Sequence, residues 1–279
     1  RLATRAKKRG IPVFSYIPPS AWAWRKGRAK DCAALADEIV AIFPHELPPY
    51  EKAGAHISFV GNPLIDTVHA EMPLADARRH FGIIEGDVPI LLLPGSRREE
   101  IERLLPAMLA AAKMLHAQDP ARRFFLPVAG SVLKERVQEI IASSGMTVTL
   151  TYDARYALMG IARAAMAASG TVVMEAAIMG LPAVVLYRMS ALSYFVGRLL
   201  VDVPRFSLPN ILLGETFETE LLQDEVQPER IADEMERILS DGAARAHIIQ
   251  RLTRAVELLG APHAARRVAE KIIALAERR

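Results

Sequence analysis

Two short stretches of this chain carry residue types that hold an anion. The first is Gly95-Ser96-Arg97-Arg98, reached through the apolar run Ile90–Leu93 and Pro94, and followed by Glu99 and Glu100. A glycine lets backbone approach a ligand closely, a serine adds a hydroxyl, and an arginine offers a planar fork matched to a pyrophosphate. The competing reading is a solvated arginine pair answering the two glutamates, which suits Arg98 better than Arg97. The pattern is neither a P-loop nor a Gly-x-Gly-x-x-Gly fingerprint. The second stretch is Ser169-Gly170-Thr171, with Glu175 one helical turn further on. A tight turn from strand into helix aims unpaired N–H groups at the carboxyl edge of a sheet, where a phosphate or a sugar hydroxyl can sit. Counted from Thr171 as N-cap, Glu175 falls at N4. It is either a first-turn carboxylate favoured by the helix dipole or an acceptor for the two vicinal hydroxyls of a ribose.

The elements that must position these residues read as alternating strands and helices. Ala164–Ala168 is a small-residue strand, Val172–Met179 a short helix stopped by Gly180 and Pro182, and Ala183–Tyr187 a continuous apolar strand. With Ile90–Leu93, Phe124–Val128 and Val148–Leu150, five strands alternate with helices, which predicts a doubly wound parallel sheet. Upstream, Ile11–Ile17, Glu38–Phe43 and His56–Gly61 read as strands, and Pro44–Ala53 as a Pro-broken connection. Met72-Pro73 to Asp76 reads as a linker. Met189–Val203 reads as an amphipathic helix and Ser207–Asn210 as a loop, before helices over Pro228–Ser240, Ala243–Leu259 and Pro262–Arg279. The expected division is a first domain over 1–72, a second over 73–260, and a final helix over 261–279 that crosses back to the first.

Composition narrows the function class. The 279 residues are 51% hydrophobic and 24% charged, with a net charge of +3, too small to argue nucleic-acid binding. The single Cys32 rules out an intrachain disulfide and suits a reducing cytosol. The apolar window Arg163–Arg188 is interrupted by Ser-Gly-Thr, Glu175 and Gly-Leu-Pro, so it reads as a βαβ unit and not as a membrane span. No Asp-x-Asp pair or His/Cys cluster occurs, so neither metal nor cofactor is expected. Trp22 and Trp24 beside Arg25 and Lys26 suit either a solvated helix start or a site for an anionic, partly apolar ligand. The chain opens on Arg1 inside what looks like a basic helix, and reads as a fragment.

Taken together and in order, Pro18–Trp24, Val60–Leu64, Leu92–Arg98, Ser169–Glu175 and Leu208–Leu213 resemble the lipid-A-disaccharide synthase family. That resemblance implies two Rossmann-like domains of GT-B type, the first of them incomplete. It implies an inverting, metal-independent transfer of 2,3-diacylglucosamine from UDP to 2,3-diacylglucosamine 1-phosphate, giving lipid A disaccharide and UDP. It also implies a peripheral enzyme at the cytoplasmic face of the inner membrane, with homodimer formation left open. Carried over by position, Arg97 meets the pyrophosphate and Glu175 the ribose, with Gly95 and Ser96 alongside. Ser169, Gly170 and Thr171 place N–H groups near the phosphates, and Asn210, Glu220 and Gln223 line the donor site. Trp22, Trp24, Arg25 and Lys26 fall on the acceptor or lipid side.

The sequence departs from the family pattern at Asn62, where histidine is usual, at His45, where an aromatic is common, and at Thr219, where proline usually precedes Glu220. The general base suspected in the family would precede Arg1, which implies a chain that binds UDP without completing the transfer. Two other readings stand beside this one. A UDP-sugar epimerase of the same fold would turn over free UDP-N-acetylglucosamine, and a non-catalytic UDP-binding module would turn over nothing.

Overall fold

The computed structural model of the chain describes residues 2–21, 27–128, 134–190 and 204–277. They form two compact units, one built from residues up to Thr67 and again from Glu257 onward, the other from Val68 to Ser190 and Arg205–Val256.

In the first unit, strands β1 (Phe14–Tyr16), β2 (Glu38–Ala41) and β3 (Ile57–Phe59) pair in parallel in that order. All three are shorter than their apolar runs predict. Ile17 leaves the strand at φ 58°, and Pro12 offers no N–H to a ladder. The stretch read as a Pro-broken connection folds instead as a 3₁₀ turn, Pro44–Glu46, and a helix, Leu47–Glu51. Pro48 and Pro49 fall in its first turn, where a missing N–H costs nothing. Tyr50 from that helix is fully buried against Ile39, and its hydroxyl donates to the Pro19 carbonyl at 2.6 Å.

The helix Ala264–Glu277 belongs to this same unit. The Asp66 carboxylate accepts the His263 and Ala264 N–H groups at its start (2.6 and 3.1 Å), as an N-terminal carboxylate should. Lys271 pairs with Glu38 at 2.9 Å, and Arg267 donates to the Val60 carbonyl at 2.7 Å. Gly61 sits at φ 105° with the space for a Cβ filled 2.8 Å away by the Ala261 carbonyl, so only glycine serves there. Asn62 beside it is wholly buried. Its amide donates to the Ile42 carbonyl, its oxygen accepts the Leu64 N–H, and its own N–H meets the Leu259 carbonyl.

The second unit is a six-stranded parallel sheet. Strands β4 (Val88–Leu93), β5 (Arg122–Pro127), β6 (Thr149–Thr151), β7 (Ala164–Ala168), β8 (Ala183–Tyr187) and β9 (Glu220–Leu222) run in the order β6-β5-β4-β7-β8-β9. The sequence reading has five strands and lacks β9, because three residues give no periodicity to read. Ser207–Asn210, read as a loop, is the N-cap and first turn of a helix, Leu208–Leu213, with Pro209 inside its first turn. The Met72–Asp76 stretch belongs to this unit, with Met72 against its core and a helix starting at Leu74. Every residue of β7 is buried, which its alanines permit where helices cover both faces. Chain order reverses between β4 and β7, the two central strands. Among the described residues no helix is long and apolar enough to cross a membrane. The helix read at Met189–Val203 lies almost wholly outside the described residues.

Replacing Asn62 by alanine strands the Ile42 carbonyl and the Leu64 N–H in a buried position. The expected loss is about 2 kcal/mol of stability, measured by urea unfolding of the purified chain. A loss near zero would mean that water replaces the amide.

Candidate functional site

Where strand order reverses in a doubly wound sheet, the loops leaving the carboxyl ends of the two central strands diverge and leave a crevice. In this sheet those loops are the two anion-suited stretches. They line one cleft of about 280 Å³, with Gly95, Ser96 and Arg97 after β4 on one wall and Ser169, Gly170 and Thr171 after β7 on the other. Seven of the predicted donor residues therefore converge, Glu175 being the seventh.

The helix Thr171–Ile178 starts at the cleft with Gly170 as N-cap, one residue earlier than the sequence suggests, so Glu175 stands at N5. The first-turn N–H groups of Thr171 and Val172 have no partner within the helix. A Cβ built on Gly170 would meet nothing within 4 Å, so the space in front of that turn is open. Ser169 is held from behind, its hydroxyl donating to the Phe206 carbonyl at 2.9 Å. Glu175 is nearly buried, with its carboxylate 3.5 Å from the Arg155 guanidinium.

On the opposite wall Arg97 is the N-cap of the long helix Arg98–Gln118, and its side chain is 82% exposed. Glu100 organises this loop. One carboxylate oxygen accepts the Ser96 and Arg97 N–H groups (3.2 and 3.3 Å), and the other accepts the Arg97 guanidinium at 2.8 Å. Gly95, at φ 97°, is required twice, since an added Cβ would overlap Glu100 as well as strain the backbone. Of the two glutamates that read from sequence as answering a solvated arginine pair, Glu100 pairs with Arg97 and braces its loop. Arg98 pairs instead with Glu102 at 3.0 Å.

The structure does not bring Asn210, Glu220 and Gln223 into the cleft lining. They build a lattice of internal bonds instead. Asn210 is wholly buried, donating to the Glu218 carbonyl and Glu220 carboxylate and accepting the Phe217 and Glu218 N–H groups. Glu220 also accepts the Phe206 and Ser207 N–H groups (2.8 and 3.0 Å), fixing the chain that enters the helix Leu208–Leu213. Gln223 clamps the Met189 backbone at both its N–H and carbonyl. Trp22, Trp24, Arg25 and Lys26 lie outside the described residues. Sequence reasoning missed Glu100, whose spacing from Arg97 was visible, and Arg155, whose place on the cleft wall had no local signal.

Behind the lattice, Glu218 is wholly enclosed. One oxygen accepts the Ala183 N–H at 3.0 Å. Burial pushes this carboxyl up to about 8, with the Ala183 N–H and the Ser207 hydroxyl opposing the rise and the Glu220 charge adding to it.

A sequence model of the family described as lipid-A-disaccharide synthetase matches residues 1–273. The chain belongs to the lipid-A-disaccharide synthase family. Its relatives include the synthase of Syntrophus aciditrophicus, 42% identical over 275 residues, covering 98% of this chain and 72% of that protein. Another, from Geobacter metallireducens, is 41% identical over 268 residues, covering 96% of this chain and 70% of that one. Among solved structures, the UDP-GlcNAc 2-epimerase of Neisseria meningitidis bound to UDP-GlcNAc has a TM-score of 0.64 at 15% identity, covering 97% of this chain and 72% of its own. Anabaena Alr3699/HepE in complex with UDP and glucose has a TM-score of 0.58 at 13% identity, covering 97% and 73%. At such identities the likeness is one of fold alone, two Rossmann-like units of GT-B type. The family membership makes the chain a glycosyltransferase of lipid A synthesis, and the epimerase reading is not favoured.

The folded state holds a proton on Glu218 that the unfolded chain releases near the ordinary value of 4.5. Stability is therefore full below that value and falls as pH rises toward 8, by up to about 1.4 kcal/mol per pH unit. Glu218→Gln should remove this slope, so the variant gains on the wild type between pH 5 and 8. Denaturant midpoints at pH 5, 6.5 and 8 check it. Parallel curves would place Glu218 in a wetter site.

Proposed function

We propose that this chain carries out the family's reaction, moving a 2,3-diacylglucosaminyl unit from UDP to 2,3-diacylglucosamine 1-phosphate. The cleft between the β4 and β7 loops is its UDP site. The observation that carries this reading is the convergence of Arg97, the start of the helix Thr171–Ile178 and Glu175 on one cleft at the sheet's switch point. UDP leaves with its negative charge concentrated on the diphosphate, so transfer needs that charge met at the instant the glycosidic bond breaks. Arg97 supplies a fork, and the helix supplies unpaired N–H groups at the positive end of its dipole. Glu175, an acceptor at the same cleft, receives the ribose hydroxyls. This reading gives that charge to protein groups. Both substrates carry acyl chains, and the reading sets the enzyme against the cytoplasmic face of the inner membrane.

Arg97→Ala and Glu175→Ala should each weaken UDP binding by about 1–3 kcal/mol, the usual worth of a charged hydrogen-bond partner, without unfolding the chain. Calorimetry of the two variants with UDP measures it. Wild-type affinity in both would overturn the site. EDTA should leave UDP binding unchanged, and a strict Mg²⁺ requirement would take the charge-matching role away from Arg97.

A further inference from the structure

Among the described residues the cleft is lined by four charged ones, and they stand as two ion pairs on facing walls. Arg97 with Glu100 is the tight one at 2.8 Å, and Arg155 with Glu175 is the loose one at 3.5 Å. A nucleoside diphosphate brings two phosphates into this space. Arg97 sits beyond β4 and serves one of them, which leaves the other to backbone N–H groups unless Arg155 turns to it.

Three features of Arg155 suit that task. Its contact with Glu175 is longer than a bonded N–H···O distance, so that carboxylate leaves most of its five N–H donors unengaged. Its guanidinium lies on the Tyr156 ring, 4.5 Å from the centroid, and reaches the Tyr156 hydroxyl, which fixes the plane of the fork while half the side chain faces solvent. Its backbone is held by unusual means. Ala154, the N-cap of the helix Arg155–Ile161, adopts a left-handed φ of 47°, which is unfavourable for any residue with a Cβ. The Glu71 carboxylate ties the same turn down by accepting the Tyr156 and Ala157 N–H groups at 3.2 and 2.7 Å. A strained, doubly tethered turn that delivers one arginine to a cleft wall is more than a surface ion pair requires.

We propose that Arg155 is a second phosphate-binding residue of this cleft, contacting the phosphate attached to the nucleotide's ribose while Arg97 takes the terminal one. The inference rests on the proposed UDP site. Its assignment to the ribose-linked phosphate follows from Arg155 pairing with Glu175, the residue assigned to the ribose hydroxyls. Arg155 counters the Glu175 charge, and with a nucleotide bound its guanidinium is shared between carboxylate and phosphate.

Calorimetry with uridine, UMP and UDP tests this on the whole chain, comparing wild type, Arg155→Ala, Arg155→Lys and Arg97→Ala. Arg155→Ala should weaken UMP and UDP by a similar factor, roughly 10- to 100-fold, and leave uridine unchanged. Arg155→Lys, which keeps the charge but not the fork, should recover part of that loss and covers the case of an alanine variant that fails to fold. Arg97→Ala should weaken UDP more than UMP. Wild-type UMP affinity in Arg155→Ala would overturn the assignment, as would a uridine loss as large as the UMP loss. A wild-type chain that binds no UDP would overturn the donor-site reading and this one with it. Wild-type UDP binding with no effect at Arg155 overturns this one alone.

Discussion

The reversal of strand order between β4 and β7 is the constraint on which the site depends. Parallel strands connected by right-handed crossovers send all their following loops to one edge of the sheet. At the reversal the crossovers turn away to opposite faces, and the loops after β4 and β7 are left facing an opening. Each then leads into a helix whose first N–H groups lack partners. The two walls differ in what stands before that start. After β4 the Glu100 carboxylate turns back onto the Ser96 and Arg97 N–H groups, so the loop entering the Arg98–Gln118 helix is braced from within. After β7 the N-cap is Gly170, which brings no side chain, and the Thr171–Ile178 helix start stays open to a ligand. The asymmetry divides the labour: one wall presents a braced guanidinium, the other presents backbone.

An open helix start is useful only if the turn before it stays put. Ser169 is the link. Its hydroxyl holds the Phe206 carbonyl, Glu220 holds the Phe206 and Ser207 N–H groups, and Asn210 holds Glu220. Gln223 ties the chain leaving β8 at Met189 to the end of β9. The lattice is polar, and nearly every member is satisfied, which in a buried place rigidifies as well as an apolar core and specifies geometry better. Glu218 stands apart in having its ionised form opposed by burial and by the Glu220 charge.

How much of this was legible follows from what a residue's role depends on. Gly95, Arg97, Ser169, Gly170, Thr171 and Glu175 were readable because each sits soon after an apolar strand, and strand ends in an α/β chain map onto one edge. Glu100 was visible but its role was not, since spacing does not say that a carboxylate turns back onto the loop N–H groups. Arg155 was illegible, because its position depends on where β6 lies relative to β4, and that is set by sheet order and not by local pattern. Asn210, Glu220 and Gln223 were singled out through the family resemblance, and the geometry gives them a supporting place behind the cleft. The sheet order itself was not readable, and β9 was too short to announce itself.

The likeness to UDP-sugar epimerases at the level of fold sharpens what the cleft can decide. An epimerase and a glycosyltransferase that use UDP-sugars face the same first problem, which is to hold a diphosphate and to stabilise it as a leaving group. A switch-point cleft with one guanidinium wall and one helix-start wall answers that for either reaction. Nothing in such a cleft distinguishes a sugar that is to be returned from one that is to be passed to an acceptor. The distinction has to come from groups that meet the sugar and its acceptor, and those act by excluding or admitting water, a base and a second hydroxyl. The fold is therefore shared between the two classes at 15% identity, while the reaction follows the family at about 40%. The match covers nearly the whole chain, and it, rather than the fold, is what separates the two reactions, since one fold hosts many functions.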